Sequence, residues 1–165
     1  MKMTIKTFQT IEDSSDLENI SKKAFGKSSD SNISEWFSFI EMKKAIEQER
    51  GICLKAISED NKCIAFIYAQ QENPINGNEG LEKWVIVIVA VDPKFSKKGI
   101  GSSLLKEIEK KAANNNAKKM FVYTNKGDDK VIEFYKKNGY SDAGWIKEYQ
   151  YGDNNSAVFL LKKLA

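Results

Sequence analysis

The sequence predicts an α/β (α+β) fold in which a mixed sheet carries helices on both faces. Two observations lead there. Apolar runs of strand length are interleaved with stretches of helical period, in the order β α α β β β α β α β β. The run WVIVIVAV, Trp84–Val91, is apolar throughout, as expected of a strand buried on both faces. With 165 residues, 41% of them hydrophobic and 30% charged, the chain suits a single packed domain over residues 1–165.

Taken in order, Met3–Gln9 alternates weakly and reads as a first strand. Glu12–Phe25 reads as a helix, with Ser and Asp near its start and Gly26 after it. Lys27–Asn32 is a polar loop. Ile33, Trp36, Phe37 and Ile40 then recur at i, i+3, i+4 and i+7, the spacing of one helix face, and this helix is expected to run to about Arg50–Gly51. Two strands follow, Ile52–Ile57 and Cys63–Gln70, joined by the hairpin turn SEDNK. The turn-rich QENPINGNEG leads into the central strand Trp84–Val91. Ile100, Leu104, Leu105, Ile108 and Ala112 trace a helical stripe that Asn114–Asn116 end. Lys118–Thr124 is a strand. Asp128 and Asp129 open a helix closed by Asn138–Gly139. Trp145–Tyr151 and Ala157–Leu161 are the last two strand candidates, joined by GDNNS.

Composition removes several chemistries. The chain has no histidine, which excludes His-based triads and His-ligated metals. Arg50 is the only arginine, so an anion site must use lysine or backbone N–H groups. Cys53 and Cys63 lack the spacing of a metal or redox pair. In the expected hairpin Cys53 faces Ile67 or Tyr68, so both are read as free thiols in a reducing compartment. The net charge of +3 demands no nucleic-acid or membrane partner, and no apolar run reaches the ~20 residues of a membrane helix. The expectation is a soluble, cytoplasmic protein.

The stretch VDPKFSKKGIGS, Val91–Ser102, joins the central strand to a helix through two glycines and two lysines. Unpaired N–H groups at a helix start, its dipole and a close glycine backbone together make a phosphate cradle. The dinucleotide fingerprint G-x-G-x-x-G/A fails because Leu104 stands at its third position. The P-loop fails because Ser102, not lysine, follows Gly101. A nucleotide-binding interaction domain is thereby disfavoured.

Val91-Asp92-Pro93 followed by Ser96-Lys97-Lys98-Gly99-Ile100-Gly101 resembles the acyl-CoA loop of the GCN5-related N-acetyltransferases, whose pattern is V-x-P and then Q/R-x-x-G-x-G/A. Downstream, IEFYKKNGY, Ile132–Tyr140, is similar to that family's F-Y-x-x-x-G-F element. The resemblance implies a mostly antiparallel central sheet of about seven strands. It further implies acetyl transfer from acetyl-CoA to a primary amine by direct transfer, without a metal. It assigns the backbone of Val89, Ala90 and Val91 to the pantetheine arm. It assigns Ser96, Lys97, Lys98, Gly99, Ile100, Gly101 and Ser102 to the pyrophosphate. Asp128 falls where many members have a coenzyme-touching Asn, and Tyr135 where a tyrosine points at the coenzyme sulfur, making it the candidate acid.

The sequence departs from the pattern at Ser96, where Gln or Arg is expected, and at Asp128. The central strand also carries no carboxylate, so a non-catalytic acyl-CoA-binding module stands as the alternative. Glu79 and Glu82 are candidate bases acting through water. The helix bearing Trp36, Phe37 and Phe39 and the loop Gly152–Asn155 are the expected acceptor side, for a small-molecule or peptide amine. Members of the family are often dimers, which leaves a homodimer open.

Overall fold

A computed structural model describes residues 1–26, 33–150 and 155–165. Seven strands form one sheet: β1 (Met3–Thr7), β2 (Gly51–Ser58), β3 (Cys63–Gln71), β4 (Lys83–Val91), β5 (Lys119–Asn125), β6 (Ser141–Ile146) and β7 (Ala157–Lys163). Five helices accompany them: α1 (Ser15–Phe25), α2 (Phe39–Glu47), α3 (Gly77–Glu82), α4 (Ile100–Asn114) and α5 (Asp129–Lys137). The sheet order is β1-β2-β3-β4-β5-β7-β6. Every neighbouring pair is antiparallel except β4 and β5. This is the mixed, mostly antiparallel seven-stranded sheet that the sequence and its resemblance imply.

Two cores follow from strand alternation. On one face, Leu104, Leu105, Ile108 and Ala112 of α4 and Tyr135 of α5 pack on Leu54, Ile67, Trp84, Ile86 and Met120. On the other, Leu17 and Ile20 of α1 and Met42 and Ala45 of α2 pack on Cys53, Phe66, Tyr68, Ile88 and Ala90. β4 serves both because of a bulge. Tyr68 pairs with Ile88 and Ala69 with Ile86, which leaves Val87 as an extra residue. Val87 and Ile88 consequently both face the α1/α2 side, and the parity of inward residues reverses along the strand.

The expected helix from Ile33 to Arg50 is corrected to a 3-10 turn, Ile33–Glu35, and the shorter α2. Ser38 breaks it. Its backbone is extended (φ −122°, ψ 115°) and its side chain accepts from the Glu41 N–H, as in the capping sequence S-x-x-E. The helical period restarts at Phe39. Met42 and Ala45 are buried on the helix; of the predicted stripe Phe37 is buried too, while Ile40 is 69% exposed.

Three further boundaries differ. α1 starts at Ser15 and not Glu12, because the Glu12 carboxylate pairs with Lys55 and its carbonyl accepts from Lys43 Nζ. QENPINGNEG is more than a loop: it holds a 3-10 turn, Pro74–Asn76, and most of α3. The residue α3 buries is Gly80, where a Cβ would lie 1.9 Å from the Asn73 carbonyl oxygen, so no apolar stripe announces this helix. β6 starts at Ser141 and not Trp145. It is an edge strand whose every residue is exposed, so no burial pattern marks it. The predicted loops Lys27–Asn32 and Gly152–Asn155 fall outside the described residues, Asn155 excepted.

Candidate active site

The parallel pair β4 and β5 stays joined over three positions only: Lys83 with Lys119, Trp84 with Met120 and Val85 with Phe121. Beyond Val85 the strands part. β5 continues against β7 to Asn125, and β4 continues against β3 to Val91. Among the described residues, the β4 edge facing β5 therefore has no strand partner from Ile86 to Val91, which includes Val89, Ala90 and Val91. Such an edge can accept an extended ligand that carries amides.

That free edge leads into the glycine loop. Asp92 takes Lys23 Nζ at 2.8 Å and accepts from the Lys94 N–H at 3.0 Å. The Lys23 ammonium holds its carboxyl below the usual carboxylate range. The chain then makes a 3-10 turn, Pro93–Phe95. Lys97 (φ 60°) and Gly99 (φ 76°) both adopt the left-handed conformation that swings the backbone into α4. α4 has no side-chain cap and no acidic residue in its first turn. Among the described residues, nothing accepts from the N–H groups of Lys98, Gly99, Ile100, Gly101 or Ser102. Five unpaired donors at the positive end of a fifteen-residue helix form an anion cradle.

The loop residues divide the work. Gly99 has open space around it and is required for its φ. Gly101 instead lets Phe134 close in, since a Cβ there would sit 3.3 Å from the ring. Ser96 turns its hydroxyl back to donate to the Pro93 carbonyl at 2.9 Å, so it shapes the turn. Lys98 Nζ lies over the Phe95 ring at 5.4 Å.

α5 follows β5. Asp128 accepts from the Val131 N–H at 3.4 Å and caps this helix. Tyr135 is buried in the α4-side core, its ring 5.0 Å from Phe134 and 5.4 Å from Tyr140. Burial pushes its phenol well above the ordinary tyrosine value, so it keeps its proton at any physiological pH.

On the opposite face, over the point where β4 and β5 part, lies a cleft of about 310 Å³ lined by Gln70, Glu72, Val85, Val87, Phe121, Tyr123, Tyr149 and Phe159. Tyr123, Tyr149 and Phe159 form a triangle of rings with centroids 5.2–5.4 Å apart. Tyr123 and Tyr149 stay 39% and 49% exposed. Glu72 lies 2.7 Å from Lys83 Nζ, which Glu79 also approaches at 3.1 Å.

None of these lining residues was singled out by the sequence. Phe37 and Phe39 pack in the core on the α1/α2 side, and Trp36 meets the Phe25 ring edge-to-face, centroids 5.3 Å apart. Glu79 pairs with Lys83 and Glu82 with Lys118, and neither lines the cleft. The signal that could have found Tyr123 and Phe159 is parity: both occupy outward positions of apolar strands. Among the described residues there is no cluster of three metal-ligating side chains, and no helix long and apolar enough to cross a membrane.

A split sheet, an anion cradle at one end of the split and a cleft at the other define an acyl-transfer architecture. The family model for the acetyltransferase (GNAT) family matches residues 14–140, and the chain belongs to that family. It is 34% identical over 56 residues to the uncharacterized protein YdhI of Bacillus subtilis (strain 168), a match covering 34% of this chain and 35% of that relative. The crystal structure of an aminoglycoside 6′-acetyltransferase type Ii has a TM-score of 0.75 at 19% identity, over 98% of this chain and 97% of that one. The crystal structure of the PaiA N-acetyltransferase from Thermoplasma acidophilum, in complex with coenzyme A, has a TM-score of 0.75 at 19% identity over 99% of each chain. At these identities the solved structures speak for the fold.

Proposed function

We propose that this protein transfers the acetyl group of acetyl-CoA directly to a primary amine. The observation that carries the reading is the β4 edge, free from Ile86 onward, with the uncapped start of α4 at one end and the cleft at the other. The pantetheine amides would pair with Val89–Val91, and the pyrophosphate would meet the five free N–H groups with Lys97 and Lys98 beside them. Family membership and the coenzyme A bound by the Thermoplasma neighbour support this choice of ligand. In the transfer, the amine nitrogen bonds to the acetyl carbonyl carbon and loses a proton. The carbon–sulfur bond breaks, its electron pair stays on sulfur, and the thiolate takes a proton. Tyr135 is the candidate donor.

The test pairs thermal shift with coenzyme A and with ATP against thiol release from acetyl-CoA over an amine panel. Stabilisation by coenzyme A together with thiol release on at least one amine is expected. Stabilisation without turnover on any amine would make the protein an acyl-CoA-binding module. Stabilisation by ATP alone would overturn the reading.

A further inference from the structure

One residue of the phosphate loop runs against its chemistry. Asp92 is the single acidic residue between Trp84 and Lys106, and it stands between the free edge of β4 and the anion cradle. It is 5% exposed. The loop needs its shape. Oδ1 accepts from the Lys94 N–H at 3.0 Å, and the Asp92 carbonyl accepts from the Phe95 N–H at 2.8 Å, which closes the turn Pro93–Phe95. The Asp92 N–H donates to the Ile64 carbonyl at 2.9 Å and holds the end of β4 against β3. The loop does not need its charge. A buried carboxylate is poorly screened and repels any anion seated beside it.

Lys23 answers that charge from a different element. Its Nζ lies 2.8 Å from Oδ2, the oxygen that the turn does not use. α1 carries Lys23 in its last turn, and Leu17 and Ile20 seat that helix on Ile88 and Ala90 of β4. The two oxygens of one carboxylate are thus divided between shaping the turn and meeting a cation 69 residues away in the chain.

We propose that Lys23 is a positioning residue of the coenzyme site. It acts through Asp92, cancelling a charge that would otherwise oppose the pyrophosphate at the start of α4 while the carboxylate goes on building the turn. The proposal rests on the acyl-CoA reading and adds to it a residue outside the glycine loop and α5. A pair that served stability alone would weaken coenzyme binding, if at all, whichever partner were removed. Charge cancellation predicts opposite signs for the two partners.

The experiment is isothermal titration with coenzyme A at about 20 and about 500 mM salt, with urea unfolding of each variant alongside. Lys23→Met should weaken binding about 10-fold at the lower salt and by less than about 3-fold at the higher, because salt screens the repulsion. Asp92→Asn keeps an oxygen for the Lys94 N–H and removes the charge. It should bind coenzyme A as tightly as the parent chain or about 2–3-fold more tightly at the lower salt. Lys23→Met combined with Asp92→Asn should return to within about 3-fold of the parent, and Lys23→Arg should stay within about 2-fold. Where Lys23→Met alone is too unstable to titrate, Asp92→Asn and the double variant decide.

Parental affinity in Lys23→Met, a loss there that salt leaves unchanged, or weakening of about 3-fold or more in Asp92→Asn would overturn the proposal while leaving the acyl-CoA reading intact. Failure of the parent chain to bind coenzyme A would overturn both.

Discussion

The Tyr140 hydroxyl donates to Glu109 Oε1 at 3.0 Å, and Lys162 Nζ closes the other oxygen at 2.7 Å. Lys162 also donates to the Asn138 carbonyl at 3.0 Å. One buried carboxylate in the middle of α4 thus ties down the end of α5 and the strand β7 beside it. Tyr135, on the last turns of α5, is held in place by this anchor. Tyr140→Phe keeps the ring and strips one donor from a buried carboxylate, at a cost of about 1–2 kcal/mol. At this chain length that is a fall in Tm of roughly 2–8 °C. Lys162→Met should cost more, about 2–4 kcal/mol, because it leaves the Glu109 charge without its cation. Urea unfolding of the two variants checks the order.

The same contact sets a pH dependence. Burial, and then the Glu109 charge, raise the Tyr140 phenol above its ordinary value. A group whose pKa is higher in the folded state stabilises the fold below the unfolded value and loses that contribution as pH rises. Tyr135 and Tyr68 are raised by burial in the same sense. Stability should therefore decline above about pH 10, the ordinary tyrosine value. Between pH 9 and 11 the decline should be shallower in Tyr140→Phe than in the parent chain, as read from urea midpoints at stepped pH.

Cys53 pairs across the sheet with Tyr68, and Cys63 with Ile57. The two thiols stay apart and free, as the expected hairpin required. Burial pushes Cys63 up to about 11 and Cys53 further in the same direction. At pH 8 roughly a thousandth of Cys63 is thiolate. Iodoacetamide should modify neither residue over a time that consumes an unstructured cysteine peptide. With rising urea Cys63 should react before Cys53, which is wholly buried. Mass spectrometry of the digest gives the order, and modification of Cys53 first would contradict the packing.

What the sequence discloses is what neighbours in the chain settle among themselves. The glycine loop, the cap at Asp128 and the stripe of α4 are local patterns, and each lies where its residues place it. The break at Ser38 was also local, written as Ser38-Phe-Ile-Glu41, but the apolar spacing of Ile33, Trp36, Phe37 and Ile40 ran across it and masked it. Glu72 was not legible. It matters because a bulge at Val87 and the parting of β4 from β5 open a cleft beside it, and both are tertiary events. β6 was misplaced because an exposed edge strand has no inward face to write.

Lys97 separates charge from backbone shape. It is a non-glycine residue at φ 60°, a strained conformation outside glycine. In Lys97→Gly, relief of that strain offsets the larger entropy of the unfolded glycine chain. Stability should stay within about 0.5 kcal/mol of the parent. Coenzyme A should nevertheless bind about 3–10-fold more weakly, with a flatter dependence on salt, because one cation beside the pyrophosphate is gone. Gly99→Ala is the converse. Its Cβ meets open space, but φ 76° penalises any side chain, so it should cost about 1–2 kcal/mol and deform the cradle. Isothermal titration with coenzyme A at two salt concentrations, beside urea unfolding, distinguishes the two effects.

Tyr135 tests the chemistry itself. Tyr135→Phe keeps the ring that packs against Phe134 and Tyr140, so it should unfold at nearly the parent urea midpoint. A phenol raised by burial is a weaker acid than a coenzyme thiol near ~8.5. Full proton release to the sulfur is uphill, and the contribution is a hydrogen bond that strengthens as negative charge gathers on the leaving atom. Removing it should lower kcat by about 10²-fold and leave the coenzyme A dissociation constant within a factor of two. Because the parent phenol stays protonated, its kcat should show no loss of this group up to pH 9. Parental turnover in Tyr135→Phe would take the donor role away from this residue, and the sulfur would then draw its proton from solvent.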